Sequence, residues 1–355
     1  MTKTILRVTL SGTFAVLTAL MILAAKYLSP VVFAFYPAVS RRILGILAGA
    51  TSVLPLAVWE LAVVALVLWF VVTLIRALVR RRIVRWLAGL LLLVCVFAFA
   101  FVGVWGLNYY APSMQSRLEL PERQYSAAEL KEATIYYRDM ANATAPLVER
   151  DENGVMCAGD FDTLANAAGD GYKTLSQTME CFDGSTVRVK KLLSSPILGA
   201  TGTTGVFICL TGESGVSTTT FSASLPFTMC HEIGHRMAFA REDEANFAGY
   251  LACEVSERVD FRYSGYYSAY VYCYNALHRV DPTAAAEVRQ GCCSELLTDC
   301  AAASAHYDKL ENKTASAVYT EVYDTYLKGF SVESGVQSYG EVADLLLTWY
   351  FERLR

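Results

Sequence analysis

Apolar residues run almost unbroken through the first hundred positions and then give way to a mixed, helically spaced pattern. Three apolar runs, at about residues 8–25, 56–78 and 83–107, approach or exceed the roughly 18–20 residues needed to cross a bilayer. Residues 30–54 are weaker, with Arg41, Arg42 and several Gly and Pro residues, and read as an interfacial or re-entrant segment. Beyond residue 108 the pattern predicts helices at about 126–148, 161–179, 226–240, 243–257, 266–280, 283–307, 314–328 and 341–355. Ser126 and Glu129 have the S-x-x-E form of a capping box. The β-branched stretch 186–193 and the short apolar run 205–210 read as strands. The fold class expected is an N-terminal transmembrane region of about three spans (1–108) followed by a mostly helical α+β domain (109–355).

Charge sharpens this division. The 355 residues are 54% hydrophobic and 18% charged, with a net charge of −4. Residues 1–108 carry ten Lys or Arg and one acid, Glu60, a formal +9, whereas the rest carries −13. Such asymmetry marks a membrane region joined to a soluble one. The chain is too apolar for disorder, and no global basic excess points to nucleic acid. Arg76, Arg80, Arg81, Arg82 and Arg85 lie between the second and third runs. Bases favour the cytoplasm in short loops, so the soluble half is expected outside it, in a multi-pass protein of the cell membrane. Lys26, Arg41 and Arg42 dissent. A cleaved signal peptide is the competing reading of the first run, but no small-x-small site precedes Lys26. Glu60, near the outer end of its span, is expected at a solvated interface.

The strongest chemical signal is His231-Glu232-Ile233-Gly234-His235, an HExxH. Residues i and i+4 share one helix face, so both imidazoles can reach one metal. Glu232 can flank the open coordination position and take a proton from a water whose pKa zinc lowers from ~15.7 to about 7. The bland alternative is two histidines hydrogen-bonded in a helical core. A catalytic zinc needs a third protein ligand, and Glu242-Asp243-Glu244-Ala245-Asn246 follows at once. This resembles the E-x-x-A-D/N helix that supplies the third ligand in glutamate-type zincins. On that pattern Glu242 is the ligand and Glu244 the runner-up. These acids could instead simply start a helix, where carboxylates suit the macrodipole. The HExxHxxGxxH/D variant is disfavoured, because Ala238 replaces the glycine and Arg241 the ligand.

Longer stretches carry a wider resemblance. They are Asn108-Tyr109-Tyr110, Arg150-Asp151-Glu152-Asn153-Gly154, Leu225-Pro226-Phe227-Thr228, Arg262-Tyr263-Ser264-Gly265-Tyr266 and Gly335-Val336-Gln337-Ser338-Tyr339-Gly340. With the motifs above, they resemble an uncharacterised family of bacterial membrane-anchored proteins viewed as zinc peptidases. The resemblance covers most of the chain and implies a zincin-like fold; it supplies no substrate.

Tyrosine or histidine often donates to the oxyanion in zincins. Tyr263 and Tyr339 are the first candidates, ahead of Tyr266, Tyr267, His278 and His306, against a background of 21 tyrosines. By the same analogy, strand 205–210 could offer an edge to an extended peptide, and Glu213 could bind a substrate amine. Ten cysteines are many. Outside the cytoplasm disulfides are allowed, and Cys157 with Cys181 is a candidate loop pair. Cys253, Cys273 and Cys300 read as small core residues. Cys230 points about 100° away from His231 around the helix.

Three readings follow. The first is a membrane-anchored zinc peptidase acting on a peptide or protein substrate. His231, His235 and Glu242 would hold Zn2+, with Glu232 as general base. The second is a non-catalytic membrane-associated scaffold with a structural or vestigial metal site, which has no need of Glu232 between two ligands. The third is a membrane structural protein without metal, which imidazoles further than about 5 Å apart, or facing different ways, would support.

Overall fold

The computed structural model describes residues 2–330 and 342–355. Among these residues, three helices are long and apolar enough to cross a membrane: α1 (Thr2–Tyr27), α3 (Val58–Val79) and α4 (Ile83–Val104). At 1.5 Å per residue the 22-residue helices extend about 33 Å, close to the ~30 Å hydrocarbon thickness. α1 packs along α4, where the Arg7 guanidinium lies over Gly89 and donates to the Arg85 carbonyl at 2.8 Å.

The weak segment 30–54 becomes helix α2 (Tyr36–Thr51), one face of which packs on the soluble half. Leu44 is fully buried with Trp105, Tyr109, Cys209 and Leu327. Ser40 donates to the Val104 carbonyl at 2.7 Å, and Arg41 donates to the Asp183 carbonyl at 2.8 Å. Arg41 and Gly45, which weakened the apolar pattern, are therefore contact residues, Gly45 lying against Ser185, whereas Arg42 and Gly49 are exposed. Gly212, at φ +67°, lets its loop touch the α2 backbone at Leu44 and Ala48.

After α5 (Ala127–Thr144), whose Ser126–Glu129 capping box is fully formed, come β1 (Lys190–Lys191), α6 (Ser195–Ala200), β2 (Gly205–Ile208) and β3 (Glu213–Val216). The strand order is β1-β3-β2, with β1 parallel and β2 antiparallel to β3, so β2 is an edge. The expected strand 186–193 shrinks to two residues, and β3 was not foreseen. The expected helix 161–179 breaks into Phe161–Ala167 and Asp170–Leu175. A side chain at Gly169 would strike Thr186, and one at Gly171 the Ala252 carbonyl, so the break buys close packing.

The helical half comprises α7 (Leu225–Arg236), α8 (Glu242–Glu254), α9 (Val259–Val280), α10 (Pro282–Gln290), α11 (Ser294–Leu310), α12 (Lys313–Gly329) and α13 (Val342–Trp349). The single helix expected at 283–307 is divided around Gly291, which sits under the Arg138 guanidinium. Buried Tyr137, Phe247, Tyr250 and Leu346 join α5, α8 and α13, and Tyr137 donates to the Leu346 carbonyl at 2.7 Å.

Two buried carboxylates fasten the apolar helices to this domain. Glu60, in the first turn of α3, is buried rather than solvated and accepts from the Leu193 and Ser194 amides at 2.9 and 2.8 Å. Glu213 accepts from the Val58 and Trp59 amides at 2.8 and 3.0 Å, and also pairs with Lys190 at 2.6 Å. Lys190 in turn donates to the Thr51 and Leu56 carbonyls. Glu213 is thus committed to the start of α3, where carboxylates suit the helix dipole, and does not face a substrate amine.

All ten cysteines are free thiols, Cys157 and Cys181 included. Cys157 is exposed beside the turn closed by the Arg150–Met156 bridge, whereas Cys181 is half-buried in a separate helical turn.

Candidate metal centre

α7 carries both histidines on the face turned to α8. Small residues make the approach possible: Gly249 lies 3.0 Å, at the Cβ position, from the His231 amide, and Gly234 faces Ala245 and Ala248. α7 ends after Arg236, and Ala238 turns the chain at φ +69°. A left-handed alanine costs about 1–2 kcal/mol. The turn is held by the Ala238 amide to the His235 carbonyl at 2.9 Å. It returns the chain within six residues, so that α8 begins at Glu242 beside the histidines.

The three expected ligands converge. Glu242 Oε2 lies 3.4 Å from His231 Nε2, and Glu242 Oε1 lies 3.7 Å from His235 Nε2. One ligand atom from each residue lies within 4.8 Å of the others. Tetrahedral zinc with bonds of about 2.0–2.1 Å places its ligand atoms about 3.3 Å apart, so the donor set fits that ion. The tautomer fits too. His235 Nδ1 is 2.8 Å from the Phe239 carbonyl, which can only accept, so Nδ1 carries the proton and Nε2 presents its lone pair. The two imidazole rings lie 4.7 Å apart, inside the separation of about 5 Å beyond which the metal-free reading would gain support.

Electrostatics separate the carboxylates. Burial alone would push Glu242 up, but His235, His231 and the Tyr323 hydroxyl outweigh it and hold its carboxyl near 2. Burial pushes Glu232 up to about 8, opposed by His231 and reinforced by Glu242. Burial lowers His235 to about 4, so that ring is neutral. At His231 burial pulls down, but the bond to Glu242 prevails and the net shift is upward. Glu232 Oε2 is buried without a hydrogen-bond partner among the described residues. Its carboxylate fills the space where Gly205 of β2 has no side chain.

The other expected residues fall elsewhere. Glu244 accepts from the Met114 amide and the Arg117 guanidinium, both at 2.7 Å, and so braces the loop after the last apolar helix. Tyr263 is fully buried and donates to Asp299, which also pairs with Arg150 at 3.0 Å, and it does not line the cavity at the metal donors. Tyr339 lies outside the described residues. Tyr266 packs on Tyr250, and Tyr267 lines the far part of the cavity. His278 is exposed and stacked on Tyr274, and His306 is bonded to the Thr219 carbonyl at 2.7 Å. Cys230 points its sulfur at the Ala168 carbonyl, away from the metal donors.

Reading the sequence missed Tyr323, whose hydroxyl donates to Glu242 from α12. Tyr319, Tyr323 and Tyr326 stack along one face of α12. Their i, i+4, i+7 spacing was the available signal. It missed Asn246 as well, which lies beside His231 and accepts from Tyr272 at 3.1 Å. The centre opens into a cavity of about 1320 Å³, walled also by β2 and by Phe101, Trp105 and Tyr109.

The family described as "Protein of unknown function (DUF3810)" matches residues 34–347. The chain belongs to that family. The match begins just before α2 and includes α3 and α4, so the family unit joins two of the apolar helices to the metal centre. The description assigns no activity. Comparison with curated proteins and with solved structures finds no match.

Proposed function

We propose that this protein is a membrane-anchored, zinc-dependent peptidase with a zincin-like catalytic domain, facing away from the cytoplasm. The observation that carries the reading is the convergence of His231, His235 and Glu242 beside a buried Glu232 oxygen that has no partner among the described residues. Three protein donors, the number found among the described residues, suit an open site, whereas closed structural zinc sites take four. A zinc ion bound there supplies Lewis acidity to a water and to a substrate carbonyl.

The chain's own residues supply the rest. Glu232 is positioned to accept the proton of the attacking water and to pass it to the leaving amine. Its elevated pKa suits a group that must both take and give a proton near neutrality. His235 is fixed by Phe239, His231 is flanked by Asn246, and Glu242 is held by Tyr323. β2, the sheet edge beside Glu232, suits an extended peptide added as a further strand.

The test is metal analysis joined to turnover. Protein purified without chelator should contain one zinc per chain and cleave members of a peptide library. Glu232→Gln should keep the zinc and lose the cleavage. Metal-free wild-type protein, or full cleavage by the Gln variant, would overturn the reading.

A further inference from the structure

The cavity that holds the metal donors is built partly from the membrane-spanning region. Phe101 belongs to the last turn of α4, and Trp105 follows that helix directly. The Trp105 ring lies 6.0 Å from the His235 ring and 5.0 Å from Phe207 of β2. Thus a metal ligand sits one ring contact from the end of a spanning helix, with no linker between. Glu60 and Glu213 fasten the start of α3 to the domain.

Helix α12, whose Val322 lines the cavity, and α6, which ends beside Thr201 of the cavity wall, both expose apolar side chains. On α6, Leu193 next to its start and Ile197 within it are 60% and 70% exposed. On α12, Val318 and Val322 are 58% and 65% exposed. α6 and α12 are joined through the Asn312 amide and the Ala200 carbonyl at 2.9 Å. The Leu193 amide is itself bonded to Glu60 of α3. A chain of bonded segments thus runs from α3 through Leu193 and α6 to α12, with exposed apolar side chains on α6 and α12 and Val322 at the cavity. Exposed apolar residues contiguous with spanning helices belong at the lipid interface.

We propose that the substrate is a polypeptide anchored in the same membrane, cut within the short extended stretch that leaves the bilayer. This inference rests on the peptidase reading. A chain emerging beside α4 would meet the β2 edge and Glu232 almost at once. A freely diffusing peptide would have to reach a mouth that faces lipid.

The full chain, loaded with zinc in lipid bilayers, would be given three substrates. The first is a randomised segment fused directly to a single transmembrane helix. In the second, about 20 Gly and Ser residues separate the two, moving the segment about 25 Å from the anchor. The third is the segment without anchor. The spacer arm keeps the anchored substrate's local concentration nearly constant, so only distance from the membrane changes. Cleavage of the direct fusion should exceed that of the spacer fusion by at least about tenfold. Equal or faster cleavage of the spacer or anchor-free segment would overturn the inference and leave the peptidase reading standing. Hydrolysis of the bilayer's own lipids, with none of the peptides cut, would overturn both. Inertness toward every substrate and lipid by zinc-bound protein would also overturn both.

Discussion

Gly205 of β2 lies against the Glu232 carboxylate so closely that a methyl group on it would overlap Oε1. The neighbour is the far end of a flexible side chain, so the fold can adjust while the general base moves. Gly205→Ala should therefore lower cleavage tenfold or more, because a 1 Å misplacement can cost about 10²-fold. Zinc content and melting temperature should stay close to wild type. Loss of zinc from this variant would contradict the arrangement.

Glu242 and Glu244 are two residues apart and do different jobs. Glu242→Gln should abolish stoichiometric zinc while the chain still folds. Glu244→Gln should keep zinc but weaken the fold, since it strips a buried Arg117 of its charged partner, a loss of about 3–5 kcal/mol when such a pair is broken. Metal analysis beside thermal unfolding separates the two, and reversed outcomes would reassign the third ligand.

Tyr323 donates to Glu242, so under the proposed reading it would act on the metal through that ligand. Tyr323→Phe should weaken zinc binding by about 10–100-fold, the usual effect of losing a partner of a ligand. Competition with a chelator measures this. Unchanged affinity would leave the hydroxyl without that role.

Tyr263 supports the core rather than the chemistry. Tyr263→Phe removes its bond to buried Asp299 and should cost about 1.5–3 kcal/mol of stability. Cleavage per folded, zinc-bound molecule should be unaffected. A fall in turnover without a fall in stability would restore its candidacy for the oxyanion.

Glu213 offers a contrast between anchoring and recognition. Glu213→Ala leaves Lys190 buried and unpaired, which should cost about 3–5 kcal/mol. Blocking the amino terminus of test peptides should change their cleavage equally in this variant and in the wild type. If the variant alone became indifferent to the block, Glu213 would be an amine-binding residue after all.

The parts legible in the sequence were those written locally. His231, Glu232 and His235 need only one helical turn to define them, and Glu242 follows within seven residues. The three long apolar helices are equally local, because length and composition suffice. What escaped depends on distant contact. Tyr323 reaches Glu242 across 81 positions and was one of 21 tyrosines. Gly205 reads as an ordinary strand residue until Glu232 is beside it. Phe101 and Trp105 match the lipid-facing pattern of their span, so their place in the cavity wall left no separate trace. The same holds for α2, whose Arg41 looked like an interruption and proved to be a contact.

Leu44, Trp105 and the Glu213–Lys190 pair have one consequence for how far this protein can act. A proteolytic cut near residue 108 would part the rest of the chain from Leu44, which packs against Tyr109 and Cys209, and from Phe101 and Trp105, which line the cavity. Glu213 and Lys190 would lose all four of their backbone partners at residues 51–59. Under the membrane-anchored reading proposed above, the protein would work in two dimensions, meeting other molecules by lateral diffusion in the lipid sheet that holds its three apolar helices.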